Sequence, residues 1–384
     1  EELIEWIVNG ATYGKDNGIL IQMDKDYNVT ARFTENHSNQ GTDYNTDFIK
    51  TIYIGGGTPS LLKKNQLIQI CNVIFSKLTP TQDFEFTIEA NPDDITQELL
   101  AVFEECKINR ISCGIQSMNN ACLNFVKRRA GTKENTAAME LLKSQWKGQL
   151  SLDLICGLPN ESEESFFDAL KQIVLINPHH VSMYSLTIEE ETPLGQFFEN
   201  SSQTYDYNFS DELWLKGRDF LCQKGYEQYE VSNFSRNGHF CKHNLVYWMH
   251  DDYLGCGSGG TGTVYDKNGI GFRWTNSTNL NAYINYWTQS SSISQKDIPQ
   301  NIEIIEKEDS VFEYFMMGFR KLSGISQQDF IKRFGMDIPE NAQKIFERWH
   351  CEKLMNIMGN ENNKYYSLNE KGILFLNRLL EELL

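Results

Sequence analysis

The chain has 384 residues, 40% hydrophobic and 12% aromatic, with a formal charge of −17. That length supports two domains or one large barrel with an appendage, and the acidic balance argues against a broad nucleic-acid surface, which needs a basic stripe. No run approaches the roughly 18 consecutive apolar residues of a membrane-spanning helix. The nine cysteines, 71, 106, 113, 122, 156, 222, 241, 256 and 351, include no Cys-x-x-Cys pair. With an odd number and no visible signal peptide, they read as thiols of a reducing compartment, several of them buried in strands.

In chain order, Glu2–Val8, apolar at Leu3, Ile4, Ile7 and Val8, reads as a short helix. Residues 9–47 are rich in Asn, Asp, Gly and Thr, with apolar stretches at Ile19–Met23 and Val29–Phe33. They predict a small hairpin insertion without chemistry. A rhythm then begins. Strands are predicted at Lys50–Gly55, Phe84–Glu89, Arg110–Ile115, Leu150–Cys156 and His180–Leu186. Helices fall near Leu61–Leu78, Thr96–Lys107, Asn119–Val126, Lys133–Trp146, Ser162–Leu175 and Asp211–Lys224. Apolar strands alternating with helices imply parallel strands joined by helical crossovers. The result is an α/β architecture, either an open doubly wound sheet or a full or partial barrel. Such a unit needs a strand before its first helix. None is present, and the chain begins at Glu1 rather than methionine, so it is expected to start partway through its first unit.

Both architectures put working residues at the carboxyl ends of strands. The first strand runs into Gly55-Gly56-Gly57-Thr58-Pro59. Glycines there clear the backbone for close approach, and bare amides bind carboxylate or phosphate; the plainer reading is a tight strand-to-helix turn. No Walker lysine follows and the Gly-x-Gly-x-x-Gly fingerprint is absent. Glu89 ends the second strand, Gln116 the third; Asp153 lies late in the fourth, and Tyr184, Ser185 and Thr187 end the fifth. Each alone reads equally well as a cap or a satisfied polar group. Together they predict one pocket able to hydrogen-bond a ribose, an amino acid and a base.

Farther on, Gly225–Asn233 predicts a strand, followed by Cys241-Lys-His-Asn-Leu-Val-Tyr-Trp248. Gly255–Gly262 is a second glycine-rich loop, read either as closing the pocket from the other side or as plain surface. From about residue 302 helices are predicted at Asp309–Leu322, Ser326–Phe334 and Glu340–Cys351, with a hairpin at Leu354–Met358 and Tyr365–Leu368 and a closing helix at Lys371–Leu384. This predicts a small winged-helix-like domain. The acidic charge argues against DNA as its ligand, leaving a partner or a substrate cover.

Gly-Gly-Gly-Thr-Pro, Glu-Ala-Asn-Pro, Gly-Ile-Gln-Ser and Asp-Leu-Ile-Cys-Gly-Leu-Pro, in this order and spacing, resemble the radical S-adenosylmethionine (SAM) superfamily. Within it they resemble the HemN/HemW group of oxygen-independent coproporphyrinogen oxidases and HemW-type heme chaperones. The resemblance covers nearly the whole chain apart from 9–47. It implies a partial (β/α)6 TIM-like barrel over 1–300, lacking its first strand and cluster loop and including the 225–262 region, followed by a C-terminal domain over 301–384. It also implies SAM contacts at Gly56, Gly57, Thr58, Glu89, Gln116, Arg128, Asp153 and Thr187. In those roles the glycine loop meets the amino-acid portion, Glu89 faces the ammonium or ribose, Asp153 accepts from hydroxyls and Arg128 donates to a carboxylate. The plainer reading of Arg128 is a surface arginine in Lys127-Arg128-Arg129.

His243-Asn-x-x-Tyr247-Trp248 resembles the motif that marks the HemW-type chaperones. The resemblance implies that His243 is a heme contact or axial ligand, with Tyr247 and Trp248 offering flat apolar surface. Cys241 is a second candidate ligand if the stretch is extended. The plainer reading of His243 is a histidine in a polar network beside core aromatics. The family holds a [4Fe–4S] cluster with Cys-x-x-x-Cys-x-x-Cys, a spacing that no cysteines here have. A shortened chain accounts for both the missing strand and the missing cysteines; a relative that has lost its cluster is the alternative. The chain as it stands is expected not to perform radical chemistry, and no catalytic residue is assigned.

The resemblance implies binding of heme and its delivery to heme-requiring respiratory membrane proteins, with SAM and the cluster bound but without coproporphyrinogen oxidation. A coproporphyrinogen III oxidase of porphyrin biosynthesis and a cluster-less structural subunit are the alternatives. The expected setting is the cytoplasm, peripheral to the membrane, with the mitochondrial matrix as alternative; a homodimer is left open.

Overall fold

The computed structural model describes residues 2–8, 18–22, 28–35, 48–288, 300–360 and 363–384. The chain divides into two compact units. One comprises Lys50–Lys64 and Asp83–His243; the other comprises Glu1–Ile49, Asn65–Gln82 and Asn244–Leu384.

Three strands come first: Glu2–Val8 (β1), Gly18–Gln22 (β2) and Asn28–Glu35 (β3). β2 and β3 form the expected antiparallel hairpin, with Leu20 opposite Thr30. β1 corrects the helix predicted at Glu2–Val8: it pairs with both β2 and β3. Seven residues are too few to hold a helix without help, and Ile, Val and Trp fit a pleated surface better.

The strand-helix rhythm then appears as predicted. Phe48–Ile54 (β4), Lys64–Lys77 (α1), Thr79–Ala90 (β5) and Gln97–Glu105 (α2) lead into Arg110–Gln116 (β6). Asn120–Phe125 (α3), Thr132–Gln145 (α4), Gln149–Cys156 (β7), Glu163–Ile176 (α5) and His180–Ser185 (β8) continue it. Pro193–Asn200 (α6) and Tyr207–Gln223 (α7) complete the helices of this region. Helix starts are fixed by side chains: Thr96 accepts from the Leu99 N–H, Ser162 from Ser165, and Asp206 from Phe209, the usual role of short polar N-caps.

Where one strand was expected at Gly225–Asn233, two short ones form, Glu227–Gln228 (β9) and Asn233–Ser235 (β10), paired antiparallel. The Glu230 carboxylate accepts the Ser232 N–H at 3.1 Å, and Gln228 Nε2 donates to the carbonyls of Glu230 and Val231. These bonds fold the intervening residues into a turn.

The sheet order is β4-β5-β6-β7-β8-β10-β9. β5 to β8 pair in parallel and β10 is antiparallel to β8. The two faces of the parallel strands differ by the period of two that strands impose. Phe86, Ile88, Ile111, Cys113, Leu152, Leu154, Val181 and Met183 occupy one face, fully buried. Glu85, Thr87, Glu89, Arg110, Ser112, Ser151, Asp153, His180 and Ser182 occupy the other. The register places Glu89 beside Ser112, Gly114 beside Asp153, and Asp153 beside Ser182. A whole polar face is thereby lined up across four strands.

In the second unit, Lys242–Trp248 (α8), whose first two residues belong to the first unit, precedes an antiparallel sheet. That sheet is made of Thr261–Tyr265 (β11), Gly271–Asn276 (β12) and, after Leu280–Thr288 (α9), Gln300–Ile305 (β13). Sequence reading missed it, although Asn268-Gly269 was a hairpin signal; Asp266 Oδ1 accepts the Asn268 and Ile270 N–H groups there. Lys307–Gly318 (α10), Ile325–Ser326 (β14), Gln327–Phe334 (α11), Glu340–Cys351 (α12), Met355–Asn360 (β15) and Asn363–Leu368 (β16) follow. The closing helix is shorter than predicted: a 3-10 turn over Gly372–Phe375 leads into Leu376–Leu383 (α13). Residues 311–383 share one hydrophobic cluster centred on Phe315, Phe319, Phe330, Phe346 and Trp349. Among the described residues, no helix is long and apolar enough to cross a membrane.

Candidate functional site

A cavity of about 450 Å³ opens at the carboxyl ends of β4 to β8, a size suited to a nucleoside-like ligand. Its lining comes wholly from residues between Tyr53 and Thr187. Seven of the eight predicted pocket residues line it: Gly57, Thr58, Glu89, Gln116, Arg128, Asp153 and Thr187. The eighth, Gly56, donates its N–H to Glu89 Oε2 at 3.1 Å.

The glycine triplet now has a physical account. A Cβ on Gly55 would sit 2.7 Å from the Tyr53 ring and 2.9 Å from the Glu89 carboxyl. Gly56 takes φ +73, a conformation glycine adopts without penalty. The first glycine therefore clears space for two neighbours, and the second turns an amide onto Glu89.

Each carboxylate of the pocket is held by hydroxyls or amides. Glu89 accepts from the Tyr53 hydroxyl at 2.9 Å and from Gly56. Burial pushes its carboxyl up, and these two donors pull it back toward the charged form. Asp153 accepts from Ser112 at 2.7 Å and Ser151 at 3.0 Å; burial raises it too, opposed by serine hydroxyls and by Arg110. Gln116 has a left-handed backbone, φ 64, and its buried Oε1 has no hydrogen-bond partner. A strained residue with an unmet acceptor at a cavity wall marks a place where a ligand donor fits.

Arg128 is not a surface arginine. Its Nη2 donates to Asn91 Oδ1 at 2.8 Å and to the Gly114 carbonyl at 3.2 Å, which aims the guanidinium at the pocket. Arg129 beside it is the surface residue, paired with Asp93 and Asp94. Tyr53, Asn91 and Ser112 were missed by sequence reading. Ser112 was findable, since it lies two residues before Gly114 on the strand that ends in Gln116. Asn91, in Glu-Ala-Asn-Pro, and Tyr53 gave no signal beyond their place beside the motifs.

His243 lies next to this pocket wall. Its Nδ1 is 2.9 Å from Thr51 Oγ1, and its ring stacks on Tyr53 at 5.1 Å and 26°. Burial and the charge of Arg110 push its pKa down to about 4. The stretch from residue 242 is helical, not extended. Cys241 precedes the helix, almost fully buried, with its thiol 3.6 Å from Glu85 Oε1. Glu85 also accepts the Lys242 and His243 N–H groups, each at 3.0 Å. Tyr229 donates to or accepts from His180 Nε2 at 2.9 Å and accepts the Cys241 N–H at 3.1 Å. Tyr247 and Trp248 lie one turn after His243; Tyr247 packs edge-on against Tyr253 at 4.7 Å, and Arg320 lies over the Trp248 ring at 5.6 Å.

The second glycine-rich loop is held from within its own unit. Tyr283 accepts the Gly257 N–H at 3.2 Å, and Asn276 Nδ2 donates to the Gly257 carbonyl at 2.8 Å. Among the described residues, no group of three or more His, Cys, Asp or Glu side chains is placed to hold a metal ion. The described side chains therefore do not fit a [4Fe–4S] cluster, and no step through one follows from them.

A model of the radical SAM superfamily matches residues 31–173. The chain is 31% identical over 338 residues to the heme chaperone HemW of Buchnera aphidicola subsp. Schizaphis graminum, covering 87% of this chain and 84% of that protein. To the heme chaperone HemW of Escherichia coli it is 33% identical over 337 residues, covering 87% and 83%. Among solved structures, coproporphyrinogen III oxidase (HemN) from Escherichia coli, a radical SAM enzyme, superposes with a TM-score of 0.69 at 19% identity, covering 88% of this chain and 78% of that one. That likeness establishes the fold: a partial parallel barrel followed by a helical C-terminal region.

Proposed function

Because the chain belongs to the HemW heme chaperone family, we propose that it binds heme through His243, binds SAM in the adjoining pocket, and delivers heme to heme-requiring respiratory membrane proteins. The single observation that carries the reading is the placement of His243. It opens the His-Asn-x-x-Tyr-Trp sequence, its Nδ1 is engaged by Thr51, and it stacks on a residue of the pocket wall.

The pocket supports SAM by its chemistry. Glu89 and Asp153 supply two carboxylates suited to the ammonium and ribose hydroxyls of a cationic ligand. Arg128 is aimed to meet a carboxylate, and the unmet Gln116 Oε1 suits an N–H or hydroxyl donor. Tyr247 and Trp248 remain candidates for heme contact on α8, and Cys241, buried against Glu85, is the weaker ligand candidate. The domain boundary near residue 301 and a cytoplasmic setting beside the membrane belong to the same proposal.

The test is a heme titration of the protein and of His243→Ala, followed by the Soret band. A His243-dependent Soret shift is expected. An unshifted band in the wild type, or an identical one in the variant, overturns the heme assignment. Conversion of coproporphyrinogen III by the same preparation would replace it with the oxidase reading.

A further inference from the structure

Asp153 lines the cavity, and a line of hydrogen bonds runs away from it through the polar face of the sheet. Ser151 Oγ lies 3.0 Å from Asp153 Oδ1 and 2.8 Å from His180 Nδ1. His180 Nε2 lies 2.9 Å from the Tyr229 hydroxyl, which accepts the Cys241 N–H at 3.1 Å. Ser151, His180 and Tyr229 are at most 6% exposed, and none of them lines the cavity. They do not serve a ligand by touching it.

The protons of this line have one order when Asp153 is charged. A carboxylate only accepts, so Ser151 gives it its single proton. Ser151 then accepts from His180, whose proton sits on Nδ1. Burial and the charge of Arg110 push His180 well below the ordinary histidine range, so the ring is neutral and Nε2 accepts. Tyr229 donates to Nε2, and its oxygen receives the Cys241 N–H. Ser182 Oγ, 3.5 Å from Ser151 Oγ, meets the second lone pair of Ser151 without altering the order. Every donor points toward the pocket. With the proton on Asp153 the order reverses: Ser151 donates to Nδ1, and Nε2–H donates to Tyr229. Tyr229 then accepts twice, and its own O–H has no acceptor among the described residues. A buried donor left unmet is costly, so the line closes fully in one direction alone.

We propose that Ser151, His180 and Tyr229 are positioning residues for Asp153: a one-way relay of hydrogen bonds, starting at the Cys241 amide, that holds Asp153 as a carboxylate able to accept the hydroxyls of a bound nucleoside. This deepens the SAM reading and rests on it for the identity of the ligand. Burial raises the Asp153 carboxyl; the relay opposes that at Oδ1, as Ser112 does at Oδ2 from 2.7 Å.

The first arm of the test uses the ligand-free protein. Ring nitrogen-15 NMR of His180 is expected to show the Nδ1–H tautomer. An Nε2–H ring or an imidazolium overturns the relay, whatever SAM does. Tyr229→Phe, nearly isosteric, is expected to admit the Nε2–H form, because no phenol is left to fill Nε2. A ring that stays wholly Nδ1–H removes Tyr229 from the relay.

The second arm follows the Asp153 carboxyl by carbon-13 NMR across pH in the wild type and in Ser151→Ala. The midpoint is expected to rise in the variant, and an unmoved midpoint overturns the proposal. Arg110, Glu89, Tyr53, Tyr184 and Cys113 also face Asp153 and are common to both proteins.

The third arm is calorimetric titration with SAM. Ser151→Ala is expected to bind about tenfold more weakly near neutral pH, the loss of one hydrogen bond to a charged group. Equal affinity overturns the role in the pocket. If the wild type binds no SAM, the SAM reading fails by itself, and the two NMR arms still decide the relay.

Discussion

Replacing Tyr53 by phenylalanine removes one hydroxyl and leaves the ring in place. That hydroxyl donates to Glu89 Oε1 at 2.9 Å, and the other carboxylate oxygen keeps the Gly56 N–H. A hydrogen bond to a charged group contributes roughly 1.5–3 kcal/mol. With one donor retained the lower end applies, so the loss is about 1.5 kcal/mol, or about tenfold in an equilibrium constant. Glu89 is raised by burial and pulled down by these same two donors, so losing one raises it further.

A cationic ligand meets the charged carboxylate. The variant should therefore bind SAM about tenfold more weakly near neutral pH, and the pH below which binding fades should move upward. Calorimetric titration of SAM across pH 5–8 reads both quantities. Heme binding should be unaffected, because the ring that stacks on His243 at 5.1 Å remains. Equal SAM affinity and an unmoved pH dependence would refute the assignment of Glu89 to the cationic part of the ligand.

Three further outcomes follow from the geometry. Gly55→Ala puts a Cβ 2.7 Å from the Tyr53 ring; overpacking of this kind costs about 1–3 kcal/mol, so both the melting temperature and SAM affinity should drop, and a neutral result would mean the triplet is not sterically required. Burial raises Glu161 to about 7, against the Gly157 and Leu158 N–H groups that lower it. The folded protein then holds the extra proton between the ordinary carboxylate range and pH 7, and stability should fall as pH rises through that window. Thermal melts at pH 5 to 8 should show a shallower fall for Glu161→Gln, and an identical slope counts against the burial of that carboxyl. Phe346, fully buried against Phe315, Phe319 and Tyr366, should cost about 3–5 kcal/mol on truncation to alanine, measured by denaturant unfolding, with heme and SAM affinities little changed while the protein stays folded.

Much of the pocket was legible because strand geometry is local. Side chains alternate every two residues and strand ends can be placed from the pattern, so Glu89, Gln116 and Asp153 stood out, whereas Ser112, on the same face as Asp153, was passed over. Strand-helix alternation likewise implied parallel pairing, and the polar strand ends then had to meet at one rim. The errors came where local pattern was indifferent. Glu2–Val8 suits a helix by spacing and a strand by its branched and aromatic residues, and pairing decided in favour of the strand. Gly225–Asn233 looked continuous until the Glu230 side chain closed a turn within it.

The sequence placed polar residues at the ends of five strands, and the family resemblance singled out those expected to meet a ligand. What only the tertiary structure decided is the company each of them keeps. Thr51 and His243 are 192 residues apart, and no periodicity connects them. They meet because adjacent strands bring β4 and β5 to the start of α8, where a buried carboxylate finds two backbone amides and a hydroxyl finds a ring nitrogen. A local pattern tells which way a side chain faces; only the assembled sheet tells what stands opposite.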